Sequence, residues 1–261
     1  MTLSSRFQHD TVSGYFLQDD PATDAASFDY TKDLGLIVGS SGPTQGNALM
    51  PWSRFSQALH HLNQDAASNT VYRLLFLGRH GQGWHNVAEA RYGTEAWDNH
   101  YSKLDSFDGM RFFDAELTET GRQQARLANH TFAHALAAGL PAPESYTNLR
   151  EVIGVHTCDK RSTKTAIQAR HPSTLFLFEE DFAEDDPLWL SDVRETDEDI
   201  DTRIRKFLDD LVDAKPHERV LSLTAHSGAI ASILRVVGHR PFALQTGGVL
   251  PIVLKTRRIP A

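Results

Sequence analysis

The sequence predicts an α/β layered fold, and three observations carry that prediction. Residues 71–77 and 220–224 are short, mostly apolar runs, the pattern of central strands buried on both faces. Stretches with apolar residues at helical spacing lie between and after them. Strand, turn and helix alternating along one chain pack helices against a sheet.

Residues 1–50 are rich in Gly, Ser, Asp and Pro, without a sustained period, and read as irregular structure. Residues 51–63 form a short helix on the spacing of Phe55, Leu59 and Leu62. Gly78 ends the strand at 71–77. Thr120 with Gln123 predicts a capping box for the next helix. Its stripe is Ala125, Ala128, Phe132, Ala135, Leu136 and Leu140, and Gly139 suits its C-terminus. Thr196 opens a further helix with Ile200, Ile204, Phe207, Leu208, Leu211 and Val212 on its apolar face. Asp197, Glu198, Asp201, Arg205 and Asp209 form its solvated face. The strand at 220–224 turns at Ala225-His226-Ser227-Gly228 into a helix over about 229–237, closed by Gly238. Residues 249–255 read as a last strand, placed near a sheet edge by Pro251. No repeat or low-complexity linker interrupts the chain, so residues 1–261 read as one domain.

Composition narrows the function classes. A formal net charge of −8 lacks the basic footprint of a general nucleic-acid binder. No apolar run approaches the roughly 20 residues that cross a bilayer. Cys158 is the single cysteine, so no intrachain disulfide framework exists. The polar start lacks the apolar stretch of a signal peptide, and a cytoplasmic location is expected, with neither membrane nor nucleic-acid partner.

Two histidines follow the two apolar strands at equivalent places, His80 and His226. Ligands of open α/β sheets bind beyond the carboxyl ends of the strands, so both can share one crevice. Arg79 beside His80 can hold a phosphate bidentately, and Gly81 lets backbone approach closely. The amides after His226 open a helix, a favourable place for an anion. Phosphoryl transfer to a neutral imidazole fits this set, with a carboxyl group nearby as general acid.

The surrounding motifs resemble one family. Leu77-Gly78-Arg79-His80-Gly81-Gln82, with Asn86, is similar to the L-x-R-H-G-[QE]-x-x-x-N signature of the histidine phosphatase (phosphoglycerate mutase-like) superfamily. Leu117-Thr118-Glu119-Thr120-Gly121, continuing to Gln124-Ala125, resembles its L-T-x-x-G-x-x-Q-A helix start. Leu223-Thr224-Ala225-His226-Ser227-Gly228 resembles its second-histidine motif. Gly14-Tyr15-Phe16, Gln18-Asp19-Asp20 and Phe28-Asp29-Tyr30 look like the N-terminal extension of a fungal and plant phosphomutase-like subgroup. The resemblance implies a three-layer, mainly parallel sheet with helices on both faces, and residues 1–70 as an extension packed on the domain. It implies His80 as phosphorylated nucleophile, Arg79 and His226 as phosphoryl ligands, Asn86 on the same oxygens, and no metal or cofactor.

The chain departs from the family between the long helix and residue 161. The superfamily places a second phosphate-binding arginine there, in an S-P-L-x-R block on a strand. In one alignment Thr157-Cys158-Asp159-Lys160-Arg161 is a degenerate form of that block, Arg161 is the second arginine, and the acid is Glu179 or Glu180. In the other, Leu149 to Arg161 is the acid-bearing segment of the subgroup, Glu151 donates the proton, and the arginine-bearing strand is absent. The second matches more closely, through Arg150-Glu151, Gly154, His156, Cys158-Asp159 and the later Asp192-Val193-Arg194-Glu195-Thr196. Arg161 then substitutes only if its loop folds back over His80.

The expected activity is metal-independent hydrolysis of a small phosphorylated metabolite through a phosphohistidine. A mutase, or a weakened phosphate-binding homologue, stands as the alternative. A serine hydrolase at Ser227 lacks any downstream acid. His80 with His85, His60 with His61, and His130 with His134 read as ordinary histidines, not metal pairs. Trp84, Tyr92, Trp97 and Tyr101 read equally as pocket lining or core. Substrate identity and oligomeric state are left open.

Overall fold

The apolar run that starts near Thr70 becomes the middle strand of five. The computed structural model describes residues 6–37, 50–171 and 177–260. In chain order the strands are β1 (Phe7–Val12), β2 (Thr70–Arg79), β3 (Ser106–Phe107), β4 (Met110–Arg111), β5 (Ser145–Asn148), β6 (Val220–Ala225) and β7 (Val249–Arg258). The helices are α1 (Pro51–Gln64), α2 (Trp84–Tyr92), α3 (Thr94–Asn99), α4 (Glu119–Ala137), α5 (Lys164–Arg170), α6 (Asp197–Ala214) and α7 (Ser227–Val236). They fall into two units: one from the described parts of 1–81, 119–149 and 197–261, the other from 82–118 and the described parts of 150–196.

The first unit holds the sheet, in the order β1-β7-β2-β6-β5. The α/β class is as predicted, and in this sheet four of the five strands point the same way, with β7 reversed between β1 and β2. β5 and β6, and β6 and β2, run parallel, whereas β7 is antiparallel to both β2 and β1. Leu74 through Leu77 are all fully buried, so both faces of β2 are covered. Leu74 and Phe76 share one core cluster with Trp52, Phe55 and Leu59 of α1 and Ala135 of α4. α7, which packs on α6 and touches β2, covers the other face.

Several expectations are corrected. Residues 7–12 are an edge strand, because pairing with β7 supplies what their sequence pattern lacks. Residues 1–5 and 38–49 of the stretch read as irregular lie outside the described residues. Asp209 is buried, not solvated: its carboxylate receives the Arg6 amide at 2.8 Å and faces His9 Nε2 at 3.0 Å. Pro251 lies in an internal strand. It is tolerated because β1 stops opposite Val253, leaving a strand beside Pro251 only on the β2 side. Thr120 sits inside the first turn of α4 rather than at its cap, and Leu136 is exposed. Gly139, at φ +94°, does follow the helix end. The place at which an arginine-bearing strand was expected missing holds β5, paired with β6, and β5 contains no arginine.

The second unit has its own small core of Ala88, Trp97, Met110 and Phe112. Trp97 is thus core, Tyr92 and Tyr101 stack at 4.2 Å against it, and Trp84 is exposed.

Candidate active site

The site in the first unit follows from strand register. β2 and β6 are parallel with Arg79 opposite Ala225, so the next residues, His80 and His226, leave the sheet at one level. The His80 amide donates to Ala225 O at 3.0 Å, and the two rings lie 4.7 Å apart. His80 Nδ1 is 2.7 Å from Gly81 O. A carbonyl only accepts, so Nδ1 carries the hydrogen and a neutral His80 keeps its lone pair on Nε2. His226 is the residue before α7, and its carbonyl accepts from Ile230. The helix N-terminus therefore stands directly beside the second histidine, where it favours an anion.

A loop that the sequence did not single out braces the site. Arg79 Nη1 donates to Leu244 O at 2.8 Å, the Arg79 amide to Gly248 O at 2.9 Å, and the Gly247 amide to His80 O at 2.8 Å. Gln124 of α4 reaches Thr246 Oγ1 at 3.1 Å. Gly247 has φ +73°, and a Cβ there would come within 2.5 Å of Gln124 Cβ. Thr246-Gly247-Gly248 was the available signal, a glycine pair just before a strand. Beside Arg79 lies a cavity of about 370 Å³, lined by Ser227, Ile230, Leu234, Phe242 and Leu244.

The other residues singled out lie in the second unit. Asn86 is in the first turn of α2, and its Oδ1 accepts from the Gly83 amide at 2.9 Å, a helix-capping role. Glu151 follows β5 closely, and its Oε1 accepts from the Val152 amide at 2.9 Å. Arg161 is committed to its own loop. Its guanidinium donates to the carbonyls of Ser162, Ala183, Glu184 and Asp185 and stacks on Phe182. The block from Thr157 to Asp159 is a 3-10 turn rather than a sheet strand, which argues against the first alignment. Arg150, the first arginine after β5, makes a bidentate pair with Asp186 at 2.8 and 2.7 Å.

Among the described residues one trio of ligand-type atoms gathers within 4.8 Å, from His156, Cys158 and Asp159. The cation already there is Arg194, with Nη1 3.0 Å from Asp159 Oδ2. Burial first, and Arg194 second, lower the His156 pKa to about 4. Burial, with Glu151 adding to it against Arg194, raises Asp159 to about 6. The signs are opposite. The folded state disfavours protonated His156, so its contribution to stability is lost as pH falls below 6.5. Asp159 favours its protonated form when folded, so it stabilises in the direction of low pH. His156→Gln removes only the first effect. We expect its melting temperature to fall less than the wild type's between pH 7 and pH 4.5, read by calorimetry; an identical loss refutes the assignment.

The ends of two neighbouring parallel strands thus deliver an arginine and two histidines to one place, a set that can hold an anion. No family model matches the chain. A probable phosphoglycerate mutase of Arthroderma benhamiae is 43% identical over 284 aligned residues, spanning 95% of this chain and 84% of that protein. Phosphomutase-like protein 3 of Candida albicans is 33% identical over 92% of this chain and 78% of its own length. The chain belongs to the phosphoglycerate mutase-like (phosphomutase-like) family of these fungal relatives. Among solved structures, mycobacterial hydrolase 1 is 23% identical over 66% of this chain and 84% of its own, with a TM-score of 0.36. A phosphoserine phosphatase of Entamoeba histolytica bound to 3-phosphoglyceric acid is 16% identical over 69% of this chain and 94% of its own, with a TM-score of 0.33. Among the described residues no helix is long and apolar enough to cross a membrane.

Proposed function

We propose that this chain is a metal-independent phosphatase of a small phosphate ester that works through a phosphohistidine at His80. The observation that carries the reading is the His80 Nδ1 hydrogen bond to Gly81 O, which presents Nε2 as the nucleophile. Arg79, His226 and the start of α7 neutralise the phosphoryl oxygens. Nε2 attacks phosphorus, the P–O ester bond breaks, and Glu151 gives its proton to the leaving alkoxide. Water then attacks phosphorus, the P–N bond breaks, and the Glu151 carboxylate takes the water's proton. A mutase would differ only in returning the phosphoryl group to another hydroxyl. In this reading Asn86 serves as the cap of α2, and the Arg161 guanidinium is spent on backbone carbonyls instead of phosphate.

The test is release of phosphate from 4-nitrophenyl phosphate with EDTA present, together with trapping of an acid-labile phosphoenzyme. Turnover that EDTA abolishes, or a phosphoenzyme formed away from His80, overturns the reading.

One observation favours a weakened homologue as second reading. β5 carries no arginine, and Arg150 is held by Asp186. Losing one charge-assisted hydrogen bond to phosphate costs about 1.5–3 kcal/mol, or roughly 10- to 150-fold in rate. The alignment with the Arthroderma relative, at 284 positions, is longer than the 261 residues of this chain, so that relative carries insertions. Sequencing transcripts across the Tyr146–Thr147 codons is expected to reveal a longer form encoding a Ser-Pro-Leu-x-Arg strand. That form would turn over faster by this factor; equal rates dismiss the second reading.

A further inference from the structure

The turn that follows Glu151 is held by another segment through four of its backbone polar groups. The Ile153 amide donates to Glu195 Oε2 at 2.8 Å, and Ile153 O accepts from the Glu195 amide at 2.9 Å. Gly154 O accepts from Arg194 Nη1 at 2.7 Å, and the Val155 amide donates to Leu190 O at 2.8 Å. The fit is tight enough to demand glycine. Gly154 has φ +99°, and a Cβ on it would lie 1.8 Å from Val193 O. Val155, a β-branched residue, sits at φ +60°. Left-handed backbone at such a residue costs on the order of 1–3 kcal/mol and persists only where the surroundings impose it.

Arg194 is itself held. Asp159 Oδ2 takes its Nη1 at 3.0 Å, and the Asp159 carboxylate is only 7% exposed. Cys158 Sγ donates to the other Asp159 oxygen at 3.4 Å, and Arg150 Nη2 to the Asp159 carbonyl at 2.9 Å. A buried guanidinium–carboxylate pair adds little net stability but fixes geometry when every lone pair is met. Here it aims one guanidinium at the carbonyl of Gly154, three residues from the Glu151 side chain. Glu151 Oε1 in turn rests on the amide of Val152, inside the same turn. A displacement of 1 Å in a catalytic group can cost about 100-fold in rate.

We propose that Arg194 and Glu195, with Asp159 fixing Arg194, are positioning residues that hold Glu151 for proton transfer. This rests on the reading of Glu151 as general acid. A general acid matters for a leaving group that cannot depart as an anion and hardly at all for one that can. Glu151→Gln is therefore expected to slow phosphohistidine formation from an alkyl ester such as glycerol phosphate by roughly 100-fold more than from 4-nitrophenyl phosphate. First-turnover release of each alcohol reads this step, whereas the later hydrolysis, which uses the Glu151 carboxylate as base, slows equally for both. Arg194→Met and Glu195→Ala reproduce that split. Glu195→Gln keeps an oxygen for the Ile153 amide and restores first-turnover release from the alkyl ester.

The outcomes separate cleanly. If Glu151→Gln shows no dependence on the leaving group, the general-acid reading fails and this proposal with it. If Glu151→Gln shows the split but Arg194→Met and Glu195→Ala lower both substrates equally, or neither, the acid stands and the positioning role is refuted. Should Arg194→Met fail to fold, the Glu195→Ala and Glu195→Gln pair decides alone.

Discussion

His80→Ala is expected to lower phosphate release by on the order of 10⁴-fold or more, because no other group takes over a covalent nucleophile. Its Nε2 is the only nitrogen of the ring left with a lone pair once Nδ1 donates to Gly81 O. The fold should hold. His80 is half-buried, and the bonds that anchor it to Ala225 and Gly247 use its backbone. His226→Ala should cost less, on the order of 10²–10³-fold, as loss of one transition-state donor does. Initial rates with 4-nitrophenyl phosphate and a thermal melt on each variant check both statements. A His80→Ala protein that keeps a tenth of wild-type turnover rules out the phosphohistidine.

Gly81→Ala is expected to damage stability and turnover together. A Cβ on Gly81 would lie 2.2 Å from Gly121 O and 2.8 Å from Gly121 C, both backbone atoms of the first turns of α4. Neither can rotate away, so helix and loop must separate. The cost is steric, since Gly81 is not among the positive-φ glycines. Overpacking of this kind costs typically 1–3 kcal/mol, occasionally more. The same shift drags the Gly81 carbonyl away from Nδ1, releasing the tautomer of His80, so kcat should fall by about 100-fold or more. Gly78→Ala is the control, three residues earlier in the chain. Its Cβ would meet Leu223 O at 3.6 Å, an ordinary contact, and both activity and urea midpoint should stay near wild type. Equal tolerance of the two substitutions would mean that Gly81 and Gly121 do not touch.

Local chemistry in the chain was enough for the framework. The apolar runs that became β2 and β6 read correctly because strands buried on both faces need no partner to declare their pattern. The amphipathic face of α6 read correctly as well, down to Ile200, Ile204 and Leu208. Arg79, His80 and His226 could be named because they sit at the carboxyl ends of those strands, and parallel register then forces the two histidines together.

What the residues did not reveal depends on partners distant in sequence. Phe7–Val12 is a strand only because β7 lies beside it, and the same pairing brings in His9, which buries Asp209 on a helix face that looked solvated. Pro251 is tolerated in an internal strand only because β1 ends two residues short of it. The brace from Leu244 to Gly248 acts mostly through backbone carbonyls and amides, so its only mark in the sequence is the glycine pair Gly247-Gly248. Arg161 reads as a free cation in the sequence, and four carbonyls claim it in the fold. Side-chain type announces which chemistry is available at a position. Which groups spend it on each other is decided by long-range backbone geometry, and only tertiary structure holds that.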